Sequence, residues 1–235
     1  MIVKGVESRP KQEEVDEHNV NHILFRSWCT HCVKGKANNQ GHSISASGSH
    51  ESEVPIVSID YAFVNEDGED RKIRKERERR GEEKEAGEVK SMPMIVIHDS
   101  KSKYVAAEIV PEKGVNEYAV RRIAQIINRL GYRRVIIKSD QEASIVALKG
   151  AVKREIELEV SFEESPVGEH QSNGAIENAI KRIQGQIRTV RDALESRIGE
   201  RIRGDDNVFT WLVRNAAASM NRYQIGSDGR TSHER

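Results

Sequence analysis

Three carboxylates stand where a folded chain could aim them at one point. Asp60 falls late in the apolar, β-branched run VPIVSIDYAFV, Asp140 closes the shorter run RRVIIKSD, and Glu177 opens a helical repeat that follows ESPVGEHQSNG. Acids at strand ends project into the crevice outside a sheet while the strands fix their backbones. Three of them brought close repel one another and require a cation, and hard oxygen donors select Mg²⁺ or Mn²⁺. Two such ions about 3.5 to 4 Å apart can activate an attacking hydroxyl and stabilise the leaving oxygen of an in-line phosphodiester displacement, with no side chain covalently attached. Each acid taken singly also reads as an ordinary structural residue: a turn acid at Asp60, a helix cap at Asp140 and a first-turn acid at Glu177.

A second group offers nitrogen and sulfur. His18, His22, Cys29 and Cys32 spell H-x3-H-x6-C-x2-C, four ligand types suited to one tetrahedral Zn²⁺. If helical, the two histidines share a face, and the C-x2-C pair forms a knuckle. His31 competes with His18 as a ligand. Free thiols or redox exchange are the other uses of two cysteines so spaced.

These groups need a frame. Residues 1–17 are polar and read as a flexible amino terminus, 18–36 as a compact His/Cys arm, and 37–52, rich in Ser, Gly and Asn, as a linker. The main core is expected at 53–203. After the Asp60 strand, 19 of the 26 residues from Asn65 to Lys90 are charged, too polar to bury a core, so 65–90 reads as a solvated insertion in a strand-to-strand turn. MPMIVIHD and KYVAAEIV read as two more strands, completing an antiparallel meander. Val115, Ala119, Ile123, Ile126, Ile127 and Leu130 recur at helical spacing, with Gly131 as the stop. The Asp140 strand, a helix at QEASIVALKGAVKRE and a strand at IELEVSF follow. Ile176, Ile180, Ile183, Ile187, Val190, Leu194 and Ile198 then mark a long helix, and NVFTWLVRNAAASMNRYQ a last one within the 204–235 segment. The order β, β, β, α, β, α, β, α, α predicts an α/β fold, a mixed five-stranded sheet flanked by helices, preceded by the small zinc-binding-like arm.

The composition excludes some classes. No window holds the roughly 18 apolar residues of a membrane span. The amino terminus lacks a basic region followed by an apolar run, so no secretory signal is expected and the protein is read as intracellular. A formal net charge of zero gives no support to nucleic-acid binding, so any such surface must be local.

Three sequence blocks carry a resemblance: SIDY around Asp60, KSDQE around Asp140, and SPVGEHQSNGAIENAIKRIQGQIRT around Glu177. They resemble the signature blocks of the integrases of copia-like and related LTR retrotransposons, and QSNG leading into a helix-borne Glu is the most specific of them. Integrases are similar, too, in carrying a His-His-Cys-Cys element before the core. The resemblance covers residue 18 to the end and implies a ribonuclease H-like core in which the first and fourth strands are neighbours. It implies Asp60, Asp140 and Glu177 as catalytic ligands of Mg²⁺ or Mn²⁺, and His18, His22, Cys29 and Cys32 as ligands of a structural Zn²⁺. The implied activity is 3′ end processing and strand transfer, an endonuclease and transferase reaction that inserts element cDNA into target DNA.

The same resemblance implies DNA as partner, a homo-oligomer, and the nucleus as location. On the long helix Glu177, Lys181, Gln184, Arg188 and Arg191 advance by fours and threes. Periodicity leaves this stripe open between a solvated face and a DNA track. With the resemblance, Lys181 and Arg188 would neutralise phosphates and Gln184 would reach a base edge. His170, Ser172 and Asn173 would belong to a loop closing over substrate, with Gly168 and Gly174 as hinges. The final TSHER replaces the usual Thr-Pro-aromatic-Glu pattern, and the chain carries no basic carboxyl-terminal domain. A polyprotein fragment or a decayed copy is therefore expected. An inactive nucleic-acid-binding or assembly module is the alternative reading, and a cellular ribonuclease H-fold nuclease or another transposase a third.

Overall fold

The computed structural model describes residues 10–36, 54–65, 91–164 and 173–235. The expected linker at 37–52, the charged insertion beyond residue 65, and the loop carrying His170 and Ser172 lie outside the described residues.

The β-branched runs form five strands: β1 (Ile56–Asn65), β2 (Ser91–Asp99), β3 (Val105–Ile109), β4 (Arg134–Ser139) and β5 (Glu159–Glu164). They make one sheet in the order β3-β2-β1-β4-β5. β1, β2 and β3 are an antiparallel meander, whereas β4 lies parallel to β1 and β5 parallel to β4. Parallel neighbours need crossovers. Helices α3 (Glu117–Arg129) and α4 (Ala143–Glu155) supply them, and α5 (Gly174–Ile198) and α6 (Asn207–Tyr223) follow the last strand. This is a ribonuclease H-like mixed sheet flanked by helices.

Side chains alternate along a strand, so each face of β1 has its own core. Val57, Ile59 and Tyr61 join Ile95, Ile97 and Ile137 in a cluster closed by apolar residues of α3 and α4. Ala62 and Val64, with Met94 and Val96, face the other way onto Ile176, Ile183 and Ile187 of α5 and Phe209, Leu212 and Val213 of α6. By the same alternation Asp60 belongs to the second face.

Local chemistry sets several element ends. Asn116 caps α3 by accepting from the amides of Tyr118 and Ala119 at 3.0 and 3.3 Å. Gly131, expected as the stop, adopts φ 73° just beyond that helix. On the outer strand β3, the Asn221 side chain acts as a surrogate neighbour: its Oδ1 accepts from Val105 N at 2.9 Å and its Nδ2 donates to Val105 O at 2.7 Å. Glu108, almost wholly buried, ties β3 to both flanking helices through Arg122 of α3 at 2.8 Å and Arg214 of α6 at 2.6 Å.

The arm holds two helices, α1 (Gln12–Asn21) and α2 (Thr30–Lys36). The expectation of a flexible stretch through residue 17 is corrected here, because α1 begins at Gln12. The helix has no apolar stripe to announce it, and its only buried residue is His18. α2 lies against α5 at a close crossing. A Cβ built on Gly35 would stand 2.7 Å from the backbone N of Thr189 and 2.9 Å from its Cα. Gln186 Nε2 donates to Asn21 O at 2.6 Å and Arg188 Nε to Gly35 O at 3.1 Å.

Gly35→Ala should therefore push α2 off α5, at a cost of about 1 to 3 kcal/mol for overpacking against backbone. A fall of several degrees in Tm, with faster proteolysis between residues 10 and 36, is the expected result; an unchanged melting curve would show that the arm does not depend on this crossing.

Candidate metal centres

The four arm ligands converge. His18 closes the last turn of α1, and His22 caps it with φ 53°. The chain then turns back to present Cys29 and, within α2, Cys32. The two histidines therefore approach from the end of a helix and its left-handed cap, and do not share a helical face as expected. His18 Nε2 lies 3.3 Å from Cys32 Sγ, His22 Nδ1 lies 3.4 Å from Cys29 Sγ, and all four ligand atoms fall within 4.8 Å of one another. Tetrahedral zinc, with Zn–S about 2.3 Å and Zn–N about 2.0–2.1 Å, requires S···N edges of about 3.5 Å. The donor set fits the ion in type, number and spacing. Every ligand is buried, which suits a closed structural site.

Protonation favours the same use. Burial lowers His18, with help from the nearby Lys36 and Arg26 charges. Burial, then the His18 and His31 rings, pushes His22 down to about 4, so both imidazoles are neutral ligands at pH 7. Burial raises the Cys32 thiol, as expected of a sulfur that a cation must ionise. The Lys36 ammonium donates to His22 O at 2.6 Å and adds positive charge beside both sulfurs. His31, the competing ligand, points elsewhere: its Nδ1 lies 2.5 Å from Asp192 Oδ2 on α5. Both cysteines are free.

The carboxylates meet through sheet register. Ile56 pairs with Ile136, Val57 with Ile137 and Ser58 with Lys138, a constant offset of 80. Carried two residues further, it sets Asp60 level with Asp140 on the same face. Their proximity is electrostatic as well. Burial raises Asp60 to about 6, and the Asp140 charge is the next cause; the Tyr61 amide and Lys113 oppose it. Asp140 Oδ1 also accepts from Glu142 N at 3.2 Å, a turn contact leading into α4.

Glu177 stands half-buried in the first turn of α5, the helix that covers this face. It is not among the groups that shift Asp60. Among the described residues, the His/Cys/Asp/Glu side chains drawn close enough to share an ion are those of the arm, and Asp60, Asp140 and Glu177 do not make such a group. Asp60 and Asp140 stand level in the sheet, with Glu177 on the adjoining helix.

Composition had not pointed to Lys113 at this site. Its Nζ lies 2.7 Å from Glu142 Oε2 and 5.1 Å from the ring centres of both Tyr61 and Phe63. Glu142 was within view in the KSDQE block; Lys113 sits in a loop without pattern. The α5 stripe divides. Asn173 immediately precedes the helix, and Lys181 is exposed. Gln184 Nε2 donates to Phe63 O at 3.3 Å, Arg188 reaches Gly35 O, and buried Arg191 pairs with Glu195 at 2.8 Å.

Fold and sites together define a ribonuclease H-like α/β protein with one acid in the middle of β1, not late in the strand as the sequence suggested, level with another just past the end of β4, and a His₂Cys₂ arm docked on the long helix α5. No family model matches the sequence, and no curated protein does. Among solved structures it is similar to the catalytic core domain of BIV integrase, at 18% identity and a TM-score of 0.44, over 76% of this chain and 91% of that one. It is also similar to the simian T-cell lymphotropic virus intasome in complex with PP2A regulatory subunit B56 gamma, at 12% identity and a TM-score of 0.46, over 76% of this chain and 54% of that one. The strand order, not these similarities, defines the fold.

Two outcomes follow from the centres. Elemental analysis should find one zinc per chain, lost in Cys32→Ser together with protease resistance of the arm; zinc-free wild type would sink the assignment. Asp60, raised from its ordinary 3.8 to about 6, keeps a proton in the folded chain that the unfolded chain has released. Its carboxyl thus lowers stability as pH rises through that window, and the loss stays in full above it. Without divalent ions at pH 7.5, Asp60→Asn should melt a few degrees above wild type, in line with about 1 to 2 kcal/mol after solvent screening. The two curves should converge near pH 4, and equal Tm values at both pH values would remove the repulsion from the account.

Proposed function

We propose that the chain is an integrase-type polynucleotidyl transferase of a copia-like LTR retrotransposon. It would process the 3′ ends of element cDNA and join them to target DNA with Mg²⁺ or Mn²⁺. The observation that carries this reading is the register that sets Asp60, in the middle of β1, level with Asp140 at the end of the adjacent parallel strand β4, on the face that the Glu177 helix covers. The resemblance of the three acid-bearing blocks supports it.

A divalent metal bound there would supply Lewis acidity and activate the attacking hydroxyl. Asp60 and Asp140 would hold it, and their mutual repulsion is the excess of negative charge that such an ion relieves. Glu177 would complete the ligand set from α5. Lys113 keeps Glu142 paired and so withholds that carboxylate from the acid pair. Lys181, on the open part of the helix, would meet a phosphate. Gln184 and Arg188, the other expected DNA contacts, hold α5 to β1 and to the arm, and would act on DNA by fixing the helix. Asn173, with His170 and Ser172 ahead of it, would border the substrate. The arm at 18–36, the core at 53–203 and the 204–235 segment would form one protomer of a homo-oligomer acting on DNA in the nucleus.

The second reading is an inactive DNA-binding or assembly module, favoured by the failure of Glu177 to join the acid pair. A strand-transfer assay with a labelled duplex end separates the two. Wild type should join strands with Mg²⁺ or Mn²⁺, and Asp140→Asn should lose more than about 100-fold, beyond the loss typical of a supporting outer contact. DNA binding without joining at any metal concentration would select the second reading; equal joining by wild type and variant would refute the first.

A further inference from the structure

One cavity, of about 180 Å³, is not used by either metal centre. Its floor is β2. His98 pairs with Ser58 and so shares the face that bears Asp60, one strand further out and about 7–8 Å away by diagonal cross-strand spacing. Lys103 from the β2–β3 turn, Arg182 from α5, Gln224 beyond α6 and Arg235 at the chain end close it round. Among the described residues no Asp or Glu lines it.

Two features point to an anion. Lys103 and Arg182 enter no ion pair among the described residues. Lys103 donates to Ser100 O and Arg182 to Gln224 Oε1, which leaves further N–H donors on both. Arg235 is paired with Asp228 and adds little net charge. His98 is only 8% exposed, yet its Nδ1 has no hydrogen-bond partner. That atom has almost no accessible surface, so the ring meets the cavity through its other atoms. Finally, Lys103 holds φ 61°, a left-handed backbone that costs an L-residue about 1 to 2 kcal/mol. The turn thus presents a cationic side chain where glycine would be at ease.

We infer that this cavity binds a phosphate oxyanion, with Lys103 and Arg182 supplying charge and hydrogen bonds. Burial and the Lys103 charge hold His98 down to about 4, while Asp99 opposes them. The ring is therefore neutral at pH 7 and serves as a reporter at the cavity wall without adding charge. The phosphate can belong to a nucleic-acid backbone or be free. The site stands on its own residues and needs neither the acid pair nor a metal.

The test titrates the full chain with inorganic phosphate, reading the His98 ¹⁵N signals, and separately with a fluorescent DNA duplex. Lys103→Gly takes the same backbone without strain, so it removes the charge and keeps the fold. Lys103→Gly and Arg182→Gln should each weaken phosphate binding about tenfold, as loss of a charge-assisted hydrogen bond does. Lys101→Gln, the same charge change in the same turn but outside the cavity, should leave it unaltered. If duplex affinity falls alongside, and its salt dependence drops by about one counterion, the phosphate is a nucleic acid's. If duplex affinity holds while phosphate binding falls, the ligand is a free oxyanion. An unmoved His98 signal at saturating phosphate, with both variants binding both ligands like wild type, overturns the inference.

Discussion

The parallel pairing of β1 with β4 is the constraint on which the rest turns. Register in a sheet buried on both faces is all or none, because a slip of one residue sends every side chain to the opposite side. Here the pairing of Val57 with Ile137 buries both among α3 and α4. The apolar residues therefore enforce the register, and the acids three positions on inherit it. Asp60 and Asp140 do not attract one another; the core holds them together against their repulsion. A site strained in this way needs strong framing, and β1, in the middle of a five-stranded sheet, has a partner on each side.

Helix α5 is the second organising element, because it serves three neighbours at once. Ile176, Ile183 and Ile187 face the sheet, Gly185 and Thr189 admit the arm, and the first turn carries Glu177 beside the acid face. Thr189 also bonds back to Gly185 O at 2.9 Å, which occupies its hydroxyl inside the crossing. Asp192 receives His31 and Lys34 from α2. The zinc-type arm is thereby built onto the same helix that bears the third acid.

Much of this was legible from residue order. Alternating apolar runs located all five strands, and the i, i+3, i+4 pattern located α3 and the two final helices, because those elements bury continuous stripes. The arm's four ligands were legible from type and spacing alone. α1 was not, since its inward face is a histidine rather than an apolar row. Nor were the uses of Gln184, Arg188 and Arg191, because a polar stripe looks the same whether it meets solvent or another helix. Glu108 with its two arginines, and Lys113 beside the acids, join residues 14 to 106 positions apart, and no local pattern encodes such partners.

The outer strands carry a further consequence. Asn221 occupies the outward amide and carbonyl of Val105, so β3 offers no free rung there to an incoming strand. At the opposite border, β5 bears Glu159 and Glu163, which already bind Arg134 and Lys138 of β4, and charge on an outer strand discourages pairing with another chain. Both borders of the sheet are thus blunted, one by an amide that imitates a strand and one by acids. An incoming strand would meet a side chain already in place at one border and charge at the other, so the sheet is built to end where it does.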